Sequence, residues 1–244
     1  MFDLRIDGAI ARLRLDRPEA RNAVPLSGWG ELAAAAQEAA GAARVLILSG
    51  IPGGVFCAGA DISDFDRLLE DPAARARFRK AIRHGLDTLR EIPIPTIALI
   101  EGDCYGAGVA VAMACDIRVA ASGARFAITP AKLGISYPQE DVHRLVSLVG
   151  AGQAARLLLG AQGIDGAEAA RVGLAEVHAD AGAAEALASA IAGNDPSSLR
   201  TLKSAVRLAA MGVAQDEGQE RAFDDLFGSG ALAERLRAYR SRPR

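Results

Sequence analysis

The sequence predicts an α/β fold with a partly parallel sheet and a helical last third. Three observations predict it. First, RVLILSG (44–50) and TIALIEG (96–102) are short apolar runs that end in glycine. Strands buried on both faces of a parallel sheet read as such runs rather than as alternations. Second, TIALIEG, the hydrocarbon stretch 109–114 and IRVAA (117–121) have the strand, helix, strand spacing of a βαβ unit, which makes its strands parallel neighbours. Third, everything after Ala183 reads helical: 183–192, 197–211, 216–227 and 231–240. Asn194-Asp195-Pro196, Gly212 and Gly228-Ser229-Gly230 supply the breaks.

The remaining elements follow in order. Residues 2–15 form a β-hairpin: Phe2, Leu4 and Ile6 alternate, Asp7-Gly8 turns, and Ile10, Leu13 and Leu15 return. An alanine-rich helix starts at Leu26 or Ser27 and reaches about Ala40. After the 44–50 strand comes a loop, then a charged helix over 64–91. Asp71-Pro72 interrupts it, because proline cannot continue a helix. GLAEVHA (173–179) is a final strand. The chain thus divides into an α/β core, 1–182, and a helical region, 183–244, that packs on the core or on a neighbouring chain.

Totals exclude several functions. The 244 residues suffice for one sizeable domain. With 28 Lys and Arg against 30 Asp and Glu, the net charge is −2, and no basic run points to a nucleic-acid partner. The N-terminal stretch alternates apolar and charged residues, unlike a signal peptide. No apolar stretch free of charge and glycine reaches the ~18 residues of a membrane span, so no membrane partner is expected. Cys57, Cys104 and Cys115 are an odd set without metal spacing, expected as buried free thiols of a reducing cytoplasm. His84, His143 and His178 lie far apart, so no metal site is expected.

The chemistry starts from two glycine turns. IEGDCYGAGVAVAMACD (100–116) places Gly106-Ala107-Gly108 before a helix, whose first N–H groups are unpaired at its positive end. A dinucleotide fingerprint fails here, because Val111 occupies the third glycine position. VFCAGADI (55–62) has the same design after the preceding strand. Two such turns on successive strands converge at the sheet's carboxyl end. Two N–H groups converging on one carbonyl oxygen make an oxyanion hole.

DRPEARNAV (16–24), FCAGADI (56–62), residues 100–121, RFAITPAKLGI (125–135), GAEAARVGLAEVH (166–178) and residues 227–244 together resemble, in order, the enoyl-CoA hydratase/isomerase (crotonase) family. The resemblance implies a spiral of ββα units with a helical C-terminal subdomain, and a homo-trimer or dimer of trimers. It also implies an acyl-CoA substrate, with coenzyme A as part of the thioester and no permanently bound cofactor. By position, the two oxyanion N–H groups belong to Ala60 and Ala107. The segment Ala58, Asp61, Ile62 resembles the wall that holds the adenine through its backbone, and Arg21 lies where relatives keep a basic residue near the CoA phosphates. Acyl-pocket walls come from the helix over 64–91.

One departure matters. Hydratases of this family use two glutamates as acid and base, and the matching positions here are Ala110 and Pro130. Isomerase- or decarboxylase-type chemistry is therefore favoured over hydration, with a catalytically inactive acyl-CoA-binding oligomer as the alternative. Tyr137, Glu140 and Asp141 are the candidate replacements. A tyrosine hydroxyl, with a pKa near ~10, donates rather than abstracts at neutral pH. Glu140 and Asp141 also fit the first turn of a helix running to Val149, where negative charge meets the dipole. His143 reads as structural, and Asp61, Asp64 and Asp66 as caps of the following helix.

Overall fold

Alternation along the central strands decides the architecture, because both faces of the main sheet are apolar and both must be covered. The computed structural model describes residues 1–241, so the last three residues of the 183–244 region lie outside the described part. In chain order the elements are β1 (Phe2–Asp7), β2 (Ile10–Leu15), α1 (Gly28–Ala42), β3 (Val45–Ser49), α2 (Phe65–Glu70), α3 (Pro72–Glu91) and β4 (Thr96–Ile100). Then come β5 (Asp103–Tyr105), α4 (Ala107–Ala114), β6 (Ile117–Ala120), β7 (Arg125–Ala127), α5 (Gln139–Gly160), β8 (Ile164–Asp165), α6 (Gly166–Val172) and β9 (Val177–His178). Four helices finish the chain: α7 (Ala181–Ala192), α8 (Pro196–Ala210), α9 (Glu217–Phe227) and α10 (Gly230–Arg240).

The main sheet runs β1-β2-β3-β4-β6-β9. Only the β1–β2 hairpin is antiparallel; each later neighbour pairs parallel, including β4 with β6 across α4, as the βαβ spacing requires. Leu13, Leu46, Leu48, Ala98 and Ile100 join α1, α3 and α4 in the larger core around Trp29 and Leu86. The alternating residues Val45, Ile47, Ile97 and Leu99 pack with Ala184 and Ala188 of α7.

Three expectations need correction. The hairpin turn is Gly8-Ala9 rather than Asp7-Gly8, because the ladder extends to an Asp7–Ile10 pair. Only Val177 and His178 of the 173–179 run pair with β6; Gly173, at φ +85, and Leu174 instead close the end of α6. A second sheet, β5-β7-β8, was not anticipated. The glycine turn follows its strand β5, and Cys57 pairs parallel with Cys104 of that strand, so the two turns meet at the second sheet rather than over the main one. The Asp71-Pro72 break is where expected: Pro72 opens α3 and the Asp71 carboxylate accepts from the Ala73 N–H. The helix to Val149 continues past a kink at Gly150, where φ is +76.

Helices α8, α9 and α10 contain no buried residue. Leu202, Val206, Phe223, Phe227 and Tyr239 are each more than 60% exposed, an unusual concentration of apolar surface. A polar clamp ties α8 to the core: the nearly buried Lys203 ammonium lies 2.8 Å from the Asp116 carboxylate and donates to the Ile94 carbonyl at 2.8 Å. Among the described residues no helix is long and apolar enough to cross a membrane.

Candidate active site

Two loops meet on the second sheet and set its chemistry. The first continues that sheet as an extra edge: the Cys57 N–H donates to the Asp103 carbonyl at 3.0 Å, and the Tyr105 N–H to the Cys57 carbonyl at 2.8 Å. Two residues on, the Val24 N–H donates to the Gly59 carbonyl (2.8 Å) and the Asp61 N–H to the Val24 carbonyl (2.9 Å). These bonds leave from the residues flanking Ala60. Successive peptide groups of an extended chain point to opposite sides, so the Ala60 N–H faces away from Val24. Among the described residues it has no acceptor.

The second loop turns at Gly106, whose N–H donates to the Ala127 carbonyl at 2.8 Å. Its φ of 51° and ψ of −119° are open to glycine and rarely to other residues. The next N–H, that of Ala107, opens α4 and likewise has no acceptor among the described residues. A Cβ built on Gly59 would lie 3.4 Å from the Ala107 nitrogen, so the loops touch beside both free donors. At Gly108 a Cβ would lie 2.4 Å from the Cys57 carbonyl oxygen, a distance no side chain tolerates.

Buried polar groups hold the first loop. The Asn22 side chain donates to the Val55 and Phe56 carbonyls at 2.8 and 3.2 Å and accepts from the Arg17 N–H at 2.8 Å. Arg21 and Asn22 both take left-handed backbone conformations, φ 52 and 58. The Asp61 carboxylate accepts from the Ser63 N–H (3.0 Å), the Ser63 hydroxyl (2.7 Å) and Arg17 (2.5 Å). The Ser63 bonds, then Arg17, hold it below the usual carboxylate range. Asp64 accepts from the Leu26 N–H at 2.8 Å. Arg17 and Asn22 were not singled out in the sequence. Their only signal was a cluster of polar residues around Pro18; Asn22 reaches remote backbone carbonyls, and Arg17 reaches the Ala23 carbonyl and the distant Asp61 carboxylate.

A cavity of about 730 Å³ opens in front of the two donors. Ala58, Ala60, Ile62 and Ala107 line one side, and Tyr137, Glu140 and Asp141 another. Phe65, Phe78 and Ile82 supply an apolar wall from the 64–91 region. Ala110 and Pro130 are also on its surface. Two predicted residues lie off this lining. Asp61 is committed as described, and the Arg21 guanidinium pairs with the Asp103 carboxylate.

The three candidate proton carriers differ in setting. Tyr137 is half-buried and its hydroxyl donates to the Gly106 carbonyl at 3.0 Å. Burial, helped by the Asp141 charge, pushes that hydroxyl well above the ordinary tyrosine range. Asp141 is buried, with Arg83 Nη1 at 3.2 Å. Burial raises its pKa, and Arg83 opposes the rise. The Glu140 carboxylate is 60% exposed and 4.0 Å from Arg83. Arg83, also 3.1 Å from Asp87, had no signal of its own among the many arginines of α3.

The cysteines are free and buried, as expected; burial pushes the thiols of Cys57 and Cys115 up to about 12. His84, His143 and His178 are exposed and separate.

The family model described as enoyl-CoA hydratase/isomerase matches residues 5–240. A Mycobacterium tuberculosis protein named "Probable enoyl-CoA hydratase" is 32% identical over 93% of this chain and 90% of its own length. An enoyl-CoA isomerase/hydratase of Penicillium crustosum is 34% identical over 68% of this chain, which spans only 19% of that longer protein. The crystal structure of an enoyl-CoA hydratase/isomerase family protein from Hyphomonas neptunium superposes with a TM-score of 0.92 at 33% identity, covering 98% of this chain and 94% of the other.

Proposed function

Because the chain belongs to the enoyl-CoA hydratase/isomerase family, we propose that it binds an acyl-CoA thioester and stabilises the derived enolate through the Ala60 and Ala107 N–H groups. The observation that carries this reading is the pair of acceptor-free N–H groups on touching loops that line one cavity. When a proton leaves the α-carbon, negative charge gathers on the thioester oxygen. Donors fixed beforehand favour that charge over the neutral ground state. The positive end of α4 adds to the effect. Coenzyme A enters as part of the substrate, its adenine against the backbone of Ala58–Ile62. Arg21 would exchange its Asp103 partner for phosphate.

The residues around the donors favour proton transfer or decarboxylation over hydration. Alanine and proline at 110 and 130 can neither hold a water nor move a proton. Asp141 is the cavity carboxylate best sheltered from solvent, and burial brings its proton affinity toward working pH. In a double-bond migration it takes the proton from a carbon adjacent to the enoyl system. The electron pair moves onto the thioester oxygen, and the proton returns at the other end of the enolate. In deuterium oxide the enzyme is expected to exchange that proton and shift the double bond, with Asp141→Asn slowing exchange at least 100-fold, the scale of general acid–base catalysis at roughly 10²–10⁴. The acid limb of the rate profile should lie above the ~3.9 of an ordinary aspartate. Hydration of crotonyl-CoA at about 10 s⁻¹, an ordinary enzyme rate, undiminished in Asp141→Asn, would overturn this reading.

A second reading, a non-catalytic acyl-CoA-binding oligomer, draws on Ala110 and Pro130 alone. Turnover of any unsaturated, malonyl-type or β-keto thioester rules it out. In either case the exposed apolar faces of α8–α10 fit burial against further copies of this chain. Sedimentation should give a trimer or a dimer of trimers; a stable monomer would contradict this assembly.

A further inference from the structure

One peptide group joins Tyr137 to the candidate oxyanion site. The Gly106 carbonyl and the Ala107 N–H belong to the same planar amide. The N–H is a free donor on the cavity, while the carbonyl accepts from the Tyr137 hydroxyl at 3.0 Å and from the Val109 N–H at 3.0 Å. We propose that Tyr137 is a positioning residue: it holds and polarises the Gly106–Ala107 amide so that the Ala107 N–H is a stronger, correctly aimed donor to the thioester oxygen. This rests on the oxyanion reading above and assigns Tyr137 a place in it other than proton donor to the substrate.

Three features support the assignment. A hydrogen bond accepted at an amide oxygen shifts electron density from nitrogen toward oxygen, and chained hydrogen bonds strengthen one another. The peptide also needs holding, because Gly106 is the residue with least intrinsic preference for any backbone orientation. Tyr137 itself is fixed from outside the turn. It follows the short helical turn Pro130–Leu133 and precedes Pro138, which ends the loop and leads into α5. Its proton is committed to a carbonyl that the reaction does not change. Burial keeps the hydroxyl protonated, so it remains a donor throughout neutral pH.

The test uses an aryl-enoyl-CoA thioester with an electron-donating ring substituent, whose absorption moves to the red as its carbonyl is polarised. Wild-type protein should red-shift the bound probe, and Tyr137→Phe should bind it within about threefold but with a smaller shift. Turnover should fall about three- to tenfold, the weight of one hydrogen bond, with little change in KM. Fluorinated tyrosine at 137, a stronger donor of the same shape, should enlarge the shift, and it serves if the phenylalanine variant folds poorly. An unchanged red shift in both variants overturns the proposal. A lost α-proton exchange with an unchanged shift would instead make Tyr137 an acid. If neither wild type nor an Ala107→Pro variant polarises the probe differently, the oxyanion reading itself fails.

Discussion

Ala107→Pro is expected to lower kcat/KM by about 10²- to 10³-fold, the loss measured when one oxyanion donor is removed, without unfolding the protein. The substitution removes the N–H and puts a ring methylene in its place, leaving the rest of the turn unchanged. Ala107 is the first residue of α4, where proline is favoured because its missing hydrogen would go unpaired in any case. The residue before a proline must avoid helical geometry. Gly106 satisfies this with φ 51 and ψ −119, the mirror image of an extended conformation, which glycine adopts as readily as the original. Steady-state kinetics together with circular dichroism check both halves of the expectation. Activity within threefold of wild type in a folded variant would remove Ala107 from the site. The loss should lie mainly in kcat, because the bond strengthens as charge develops and contributes little to the ground state.

The second large effect concerns stability. Gly108 lies inside α4, where a Gly→Ala change ordinarily stabilises by about 0.5–1 kcal/mol. Here the sign is expected to reverse. The new methyl would stand 2.4 Å from the Cys57 carbonyl oxygen, which is itself hydrogen-bonded to Tyr105 and cannot swing aside. Overpacking of this kind costs about 1–3 kcal/mol, more than the gain in helix propensity. Urea denaturation of Gly108→Ala should therefore show a net loss of about 1–2 kcal/mol. The residue pushed away carries the loop with Ala60, so probe polarisation should drop as well. A stabilised, fully active variant would show that the two loops do not press on each other as described.

Legibility in the sequence followed the size and locality of each feature. β3 and β4 were readable because runs of four and five buried residues leave no solvent-facing side to alternate. β5, β7 and β8 have two or three residues each, too few for any period, and they pair only because remote segments bring them together. That omission misplaced the glycine turn by one strand, while the free N–H at the start of α4, a local property of any helix start, does not depend on it. Close approach of the two loops was legible in the small residues of both turns; Ala60 and Ala107 themselves came from the family resemblance by position. The Asn22–Arg17–Asp61 support was not legible, because its partners, a carbonyl and a carboxylate, lie more than thirty positions away. Asp141 and Glu140 looked equivalent side by side; only the fold buries one against Arg83 and leaves the other in water.

The backbone ladder between Cys57 and β5 has a consequence for how such a protein can change over generations. The spacing of the two donors depends on main-chain bonds from Cys57 to Asp103 and Tyr105, and on the absence of side chains at Gly59 and Gly108. No catalytic side chain takes part in that spacing. Positions 110, 130 and 141 are arrayed around the same cavity and hold none of these main-chain bonds, so each can be rewritten without moving the cradle. A lineage can thus exchange the side chains around the cavity while the two donors keep their spacing.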